Sequence, residues 1–175
     1  MGFTLNYINI FPVKHYTLND ILLLGDPRLY ETCGPVLREE LEDLQPVIDG
    51  MAGLVKQFRE RYGAGRAIAA PQVGVMKRLI VMNIDESVAI INPEMTYKSE
   101  EMMELWDDCM SFPNLLVRLQ RHRRIRLRFR DRNWKEQEWN LENDLSELLQ
   151  HEYDHLDGIL STMRALDEQS FRWRG

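Results

Sequence analysis

The chain has 175 residues, 44% of them hydrophobic and 29% charged, with a formal charge of -6 at pH 7. This composition can bury a core, which excludes a disordered polyelectrolyte, and the acidic balance argues against sequence-specific or general nucleic-acid binding. No apolar run approaches the ~20 residues of a membrane span, no basic-then-apolar leader opens the chain, and Cys33 and Cys109 are too few for a disulfide scaffold, so a reducing, cytoplasmic setting without a membrane partner is expected.

Residues 1–20 read as an N-terminal arm or edge strand, with loose alternation as far as Phe11. From Asp20 to Val36 the punctuation by Gly25-Asp26-Pro27 and Gly34-Pro35 predicts turns. Leu41 to Phe58 places Leu41, Leu44, Val47, Ile48, Met51, Leu54, Val55 and Phe58 at spacings of three and four, an amphipathic helix in which Pro46 is tolerable only in the first turn. Short strands are predicted over residues 78–83, 88–92, 95–99, 124–130 and 134–140. With no repeat, linker or break in composition, a single domain over 1–175 is expected.

The segment 121–132, RHRRIRLRFRDR, concentrates basic charge. Ile125, Leu127 and Phe129 alternate with Arg124, Arg126, Arg128 and Arg130, so a strand here has one apolar and one arginine face. Phosphate contact is one reading of that face; a solvated sheet face balanced by acidic neighbours is the preferred one.

The last predicted element is a helix around His151-Glu152-Tyr153-Asp154-His155. At about 100° per residue the two imidazoles fall about 40° apart on one face, one turn from each other, where they can share an ion. Glu152 projects instead into a stripe of Leu141, Leu145, Leu148, Leu149 and Leu156, no place for a solvated charge. Asp144 with Glu147 has the spacing of a capping box, and Gly158 is placed to end the helix.

A catalytic zinc or iron site generally has three protein ligands and one open position. Ser161 stands where a third His would follow six residues on, and the sequence holds no Glu about twenty residues on, so the third ligand lies upstream. His15, Cys33, His122 and Cys109 are the candidates. Cys33 lies among turns, His122 among arginines that would oppose a cation, and His15 in a region without clear structure. Cys109, in WDDCMSFP between a strand and a Pro, is preferred, its bland alternative being a small buried hydrophobe.

Three segments together resemble the peptide deformylase family. Residues 65–74, GRAIAAPQVG, look like its GxGxAAPQ motif; Asp107-Asp108-Cys109-Met110-Ser111 looks like EGCLS; and Gln150-His151-Glu152-Tyr153-Asp154-His155 looks like QHExDH. The resemblance covers roughly Ile21 to Leu166. It implies an α+β fold in which antiparallel sheets surround the helix carrying His151 and His155, and an activity that removes the formyl group from N-formylmethionyl peptides or nascent chains, with a ribosome contact compatible with that partner. It further implies one divalent ion, Fe2+ in the cell and Zn2+ or Ni2+ as substitutes, on Cys109, His151 and His155. Glu152 would be the proton shuttle, with Gln72 and the backbone N–H of Met110 stabilising the oxyanion. Gly65, Arg66, Ala67, Asp107, Asp108, Asp144, Glu147 and Leu148 would meet the substrate.

The sequence departs from the family around that site. Asp107 and Asp108 replace Glu and Gly, Met110 replaces Leu, and Ala67 replaces the second Gly, a mild change if its φ is negative. Asp144 and Glu147 share the histidine face at positions where the family is typically apolar, which predicts an acidic mouth; the bland reading is a cap and a solvated Glu. The alternative functions are a deformylase-like protein with altered substrate or little catalysis, and an unrelated metallopeptidase.

Overall fold

The computed structural model describes residues 15–174. The arm or edge strand expected through Phe11 lies outside them; Leu18–Asp20, which do not, form a 3-10 turn. Turns also occupy the segment from Asp20 to Val36, as its Gly and Pro residues predict.

Helix α1 runs Leu41–Tyr62, one turn beyond its predicted end, and stops at Gly63 with φ 67. Pro46 stands past the first turn, against expectation, and so leaves a backbone acceptor in the preceding turn without its usual donor. Nearby the Gln45 side chain donates to the carbonyl oxygen of Leu41 at 3.1 Å.

Five strands form one antiparallel sheet in the order β1-β2-β3-β6-β7: β1 is Ala67–Ala69, β2 Leu79–Asn83, β3 Ser87–Lys98, β6 Arg124–Arg130 and β7 Glu136–Glu142. Three more form a second sheet in the order β4-β5-β8: β4 is Met102–Asp108, β5 Leu115–His122 and β8 Phe171–Trp173. Two predicted strands, 88–92 and 95–99, are one continuous β3; Pro93 is accommodated where the register against β6 shifts between Ile91 and Glu94. The strand predicted over 134–140 starts later, because Trp134 takes φ 62 in a turn held by Asp131, whose Oδ1 accepts from the N–H groups of Asn133 and Lys135 at 2.8 and 3.0 Å.

Alternation along β1 and β2 divides the core. Ile68, Leu79 and Val81 face α1, while Ala67, Ala69 and Ile80 face helix α2, Asn143–Leu156. Ile125, Leu127 and Phe129 of β6 join the second cluster with Leu148, Leu149 and Leu156 of α2. Leu141, assigned to the helical stripe from sequence, belongs to β7 but packs in that same cluster. On its other side α2 meets β5, where the Gln150 Oε1 accepts from the His122 N–H at 2.9 Å. The helix is thus held between two antiparallel sheets, the α+β arrangement expected.

The arginine face of β6 is balanced across the strands. Arg124 pairs with Glu101, Arg126 with Glu138, Arg128 with Glu94 and Arg130 with Glu136, at 2.6 to 3.8 Å. Carboxylates therefore occupy the positions that phosphates would need.

The start of α2 departs from the predicted capping box. Glu142 is the N-cap, and Asp144 lies within the first turn. Glu147 turns away from the helix start to pair with Arg66. The other end is as predicted: Gly158 has φ 71, its N–H donates to the His155 carbonyl at 3.2 Å, and Ile159 N–H donates to the Asp154 carbonyl at 2.9 Å.

Candidate metal centre and active site

His151 and His155 lie one turn apart on the buried face of α2, with their Nε2 atoms 3.2 Å apart. Cys109, just past the end of β4, brings its Sγ to 3.3 Å from His155 Nε2. The three ligand atoms lie within 4.8 Å of one another. Three lone-pair donors facing each other in a buried space repel unless a proton or a cation lies among them, and a thiolate with two imidazoles suits a borderline divalent ion. The donor set fits one metal ion. Of the other upstream candidates, His15 is exposed, and Cys33 is buried elsewhere, which pushes its thiol up to about 11. His122 lies with its Nδ1 2.7 Å from the Ser99 carbonyl oxygen.

Behind the histidines is a buried charge chain that the sequence reading did not assemble. Asp107 places Oδ1 2.7 Å from His151 Nδ1 and accepts through Oδ2 from Arg121 at 2.9 Å. Arg121 also pairs with Asp154, which accepts two hydrogen bonds from Arg164, each of 2.6 Å. Burial works against the Asp107 anion, but His151 and Arg121 outweigh it and hold the carboxyl at about 2. Burial likewise opposes a charge on His151, yet Asp107 and Cys109 draw positive charge to the ring. A metal ion held by the His151 ring would supply that charge, leaving Nδ1 to face Asp107. The environment of His155 is the reverse: burial and the adjacent His151 hold it neutral. Asp107, expected among the substrate contacts, lies on the lining of the cavity and also sets its carboxylate against His151.

Glu152 is buried, and its Oε2 finds no hydrogen-bond partner among the described residues. Burial pushes its carboxyl up to about 7. Gln72 belongs to the 3-10 turn Ala70–Val73 that follows β1. Its Oε1 accepts from the Ala69 N–H at 2.9 Å, and its Nε2 donates to Ser111 Oγ at 3.1 Å while lying 3.5 Å from Cys109 Sγ. That pattern fixes the amide with its N–H side toward the cluster.

Of these groups, Asp107, Cys109, His151 and Glu152 line one cavity. Gly65, Arg66 and Ala67 form one wall, the run Asp107 to Met110 another, and Glu147, Leu148, His151 and Glu152 the floor, with Phe58 behind. Ala67 sits in extended β1, outside the residues with positive φ, so the Gly-to-Ala change leaves the backbone unstrained. Gly65 does require glycine: its φ is 108, and a Cβ there would come within 3.0 Å of Phe58 Cδ1. The acidic residues expected at the mouth have basic partners. Arg66 pairs with Glu147 and lies 3.8 Å from Asp144, and Arg174 pairs with Asp108 at 2.7 Å. Asp144 is 78% exposed and is not brought to the cavity wall.

Three buried donors that fit one metal ion, with a buried carboxyl on the lining of the same cavity, are the constellation of a metal-dependent hydrolase. Comparison with known proteins gives the family. The polypeptide deformylase family model matches residues 18–170. The peptide deformylase of Treponema pallidum strain Nichols is 38% identical over 152 residues, covering 86% of this chain and 89% of that protein. The enzyme of Salinibacter ruber is 36% identical over 157 residues, covering 81% of this chain and 77% of its own length. Among solved structures, peptide deformylase from Thermotoga maritima superimposes with a TM-score of 0.76 at 32% identity, covering 84% of this chain and 97% of that one. The Synechococcus elongatus enzyme, solved with actinonin, gives 0.77 at 27% identity, covering 86% and 80%. The chain belongs to the peptide deformylase family.

Proposed function

We propose that this protein hydrolyses the N-formyl amide of formylated peptides or nascent chains, in the cytoplasm, with Cys109, His151 and His155 holding one divalent ion. The observation that carries the reading is Glu152, a buried carboxyl with an unpaired oxygen among the described residues, lining the same cavity as Cys109 and His151 of the three-donor cluster. Fe2+ is the proposed ion in the cell, with Zn2+ or Ni2+ as substitutes, since thiolate and imidazole bind all three. When bound, such an ion polarises the formyl carbonyl and lowers the pKa of water.

The chain's own residues supply the remainder. Water adds to the formyl carbon, the C–N bond breaks, and formate leaves with a free amine. Glu152 takes the proton from the attacking water and gives it to the departing nitrogen, and a carboxyl near 7 can do both at neutral pH. The Gln72 amide N–H and the Met110 backbone N–H stabilise the charge that grows on the carbonyl oxygen. β1 and β4 are edge strands of their sheets, and both flank the cavity, so an extended peptide can add its backbone there, next to Ala67.

The test is formate release from a formyl-Met peptide by protein reconstituted anaerobically with Fe2+. Stoichiometric formate supports the reading, and its absence with full metal occupancy rejects it. A second reading, deformylation with an altered substrate, is favoured by one specific observation: the Arg66–Glu147 ion pair in the cavity.

A further inference from the structure

Arg66 and Glu147 bring the ends of two charged side chains together within the cavity that adjoins Glu152 and Cys109. Glu147 is one helical turn before His151, on the same face, and its side chain is only 16% exposed. Arg66 reaches it from the segment just before β1, next to Gly65 with its φ of 108. Beside the pair the lining is hydrocarbon, from Leu148, Met110 and Phe58.

We infer that Arg66 and Glu147 select the first side chain of the substrate, favouring one that ends in a neutral group able both to donate and to accept hydrogen bonds, a carboxamide, over a thioether. This rests on the deformylation reading above. An apolar end laid over the pair removes water from its remaining donors and acceptors and returns nothing, which costs more than the apolar contact gains. A carboxamide answers both members: its oxygen accepts from the guanidinium and its amide donates to the carboxylate. An anionic end meets the Glu147 carboxylate, which already holds the Arg66 guanidinium of the cavity, so it is the least favoured. Asp108 does not alter this balance, because Arg174 engages it.

Glutamine and methionine are near-isosteric, so they isolate the terminal group. The measurement is kcat/KM for formate release from formyl-Gln-Ala-Ser, formyl-Met-Ala-Ser and formyl-Glu-Ala-Ser, on the Fe2+-loaded protein and on Arg66→Ile/Glu147→Ile. The native protein should favour Gln over Met roughly tenfold with Glu last, and the double variant should favour Met. The isosteric Glu147→Gln, which keeps the packing, should lower the Gln-to-Met ratio by itself. A native preference for Met, or a ratio that neither variant moves, overturns the inference. If no formylated peptide releases formate, the deformylation reading is what fails. Calorimetric affinities of the same peptides for metal-loaded Glu152→Gln protein then decide the inference separately: Gln tightest sustains it, Met tightest overturns it.

Discussion

Asp107 Oδ1 lies 2.7 Å from His151 Nδ1, so the residue two positions before one proposed ligand orients another on the facing helix. The ring is held from both ends, by the carboxylate at Nδ1 and by the ligand cluster at Nε2. Asp107→Asn keeps the shape and loses the charge. It should weaken metal binding by about 10- to 100-fold, measured by competition with a chromogenic chelator. Unchanged affinity would mean that the carboxylate only anchors Arg121.

Cys109→Ser tests the ligand set itself. A hydroxyl is a poor replacement for thiolate on a borderline ion, so metal content should fall well below one per chain after gel filtration, together with formate release. Full occupancy by elemental analysis would remove Cys109 from the site.

Glu152 gives a pH-dependent prediction in the chelated protein. Its carboxyl is raised from 4.5 to about 7 by burial, so the folded state resists ionisation that the unfolded chain undergoes freely. The native protein should therefore lose stability as pH rises from about 4.5 through about 7, by about 3 kcal/mol in all, and hold that loss above it. Glu152→Gln abolishes this dependence. The variant should match the native protein near pH 4.5 and exceed it at pH 8 in urea denaturation, while losing nearly all turnover when metal is restored. Equal stabilities at pH 8 would show that the carboxylate is solvated.

How much of this was legible depended on whether a residue's partner is near in sequence. His151, Glu152 and His155 occupy one helix, so spacing alone revealed their shared face and the odd setting of Glu152. Cys109 lies far from them in sequence, and it is singled out by its setting between a strand and a Pro and then by its motif. The chain Asp107–Arg121–Asp154–Arg164 spans two strands, α2 and a turn, and no local pattern announces such pairings. One clue existed: Val117, Leu119 and Arg121 alternate along β5, which puts the arginine in the buried row. Within a basic run, Arg121 is hard to tell from its exposed neighbours. The capping box failed for a related reason: the helix starts one residue before Asp144, with Glu142 as its N-cap, and Glu147 pairs with Arg66, a residue distant in sequence.

Gly158 closes α2 directly after the residues that carry the site, and it yields the last prediction. Its φ is 71, and a Cβ there would come 2.5 Å from the backbone oxygen of Tyr30. Gly63 ends α1 in a similar conformation, φ 67, but a Cβ there meets nothing within 4 Å. Alanine at either position has the left-handed penalty, about 1 kcal/mol. At Gly158 the clash is with backbone, which cannot rotate aside, so a further 1 to 3 kcal/mol or so is expected from displacing the Pro27–Tyr30 turn or the helix end. The Gly158 N–H donates to the His155 carbonyl, so movement of the helix end shifts a proposed metal ligand. Gly158→Ala should thus lower both urea stability and metal affinity, whereas Gly63→Ala should lower stability alone, by about 1 kcal/mol. If the two variants behave alike, the contact with Tyr30 is not what fixes the end of the metal-binding helix.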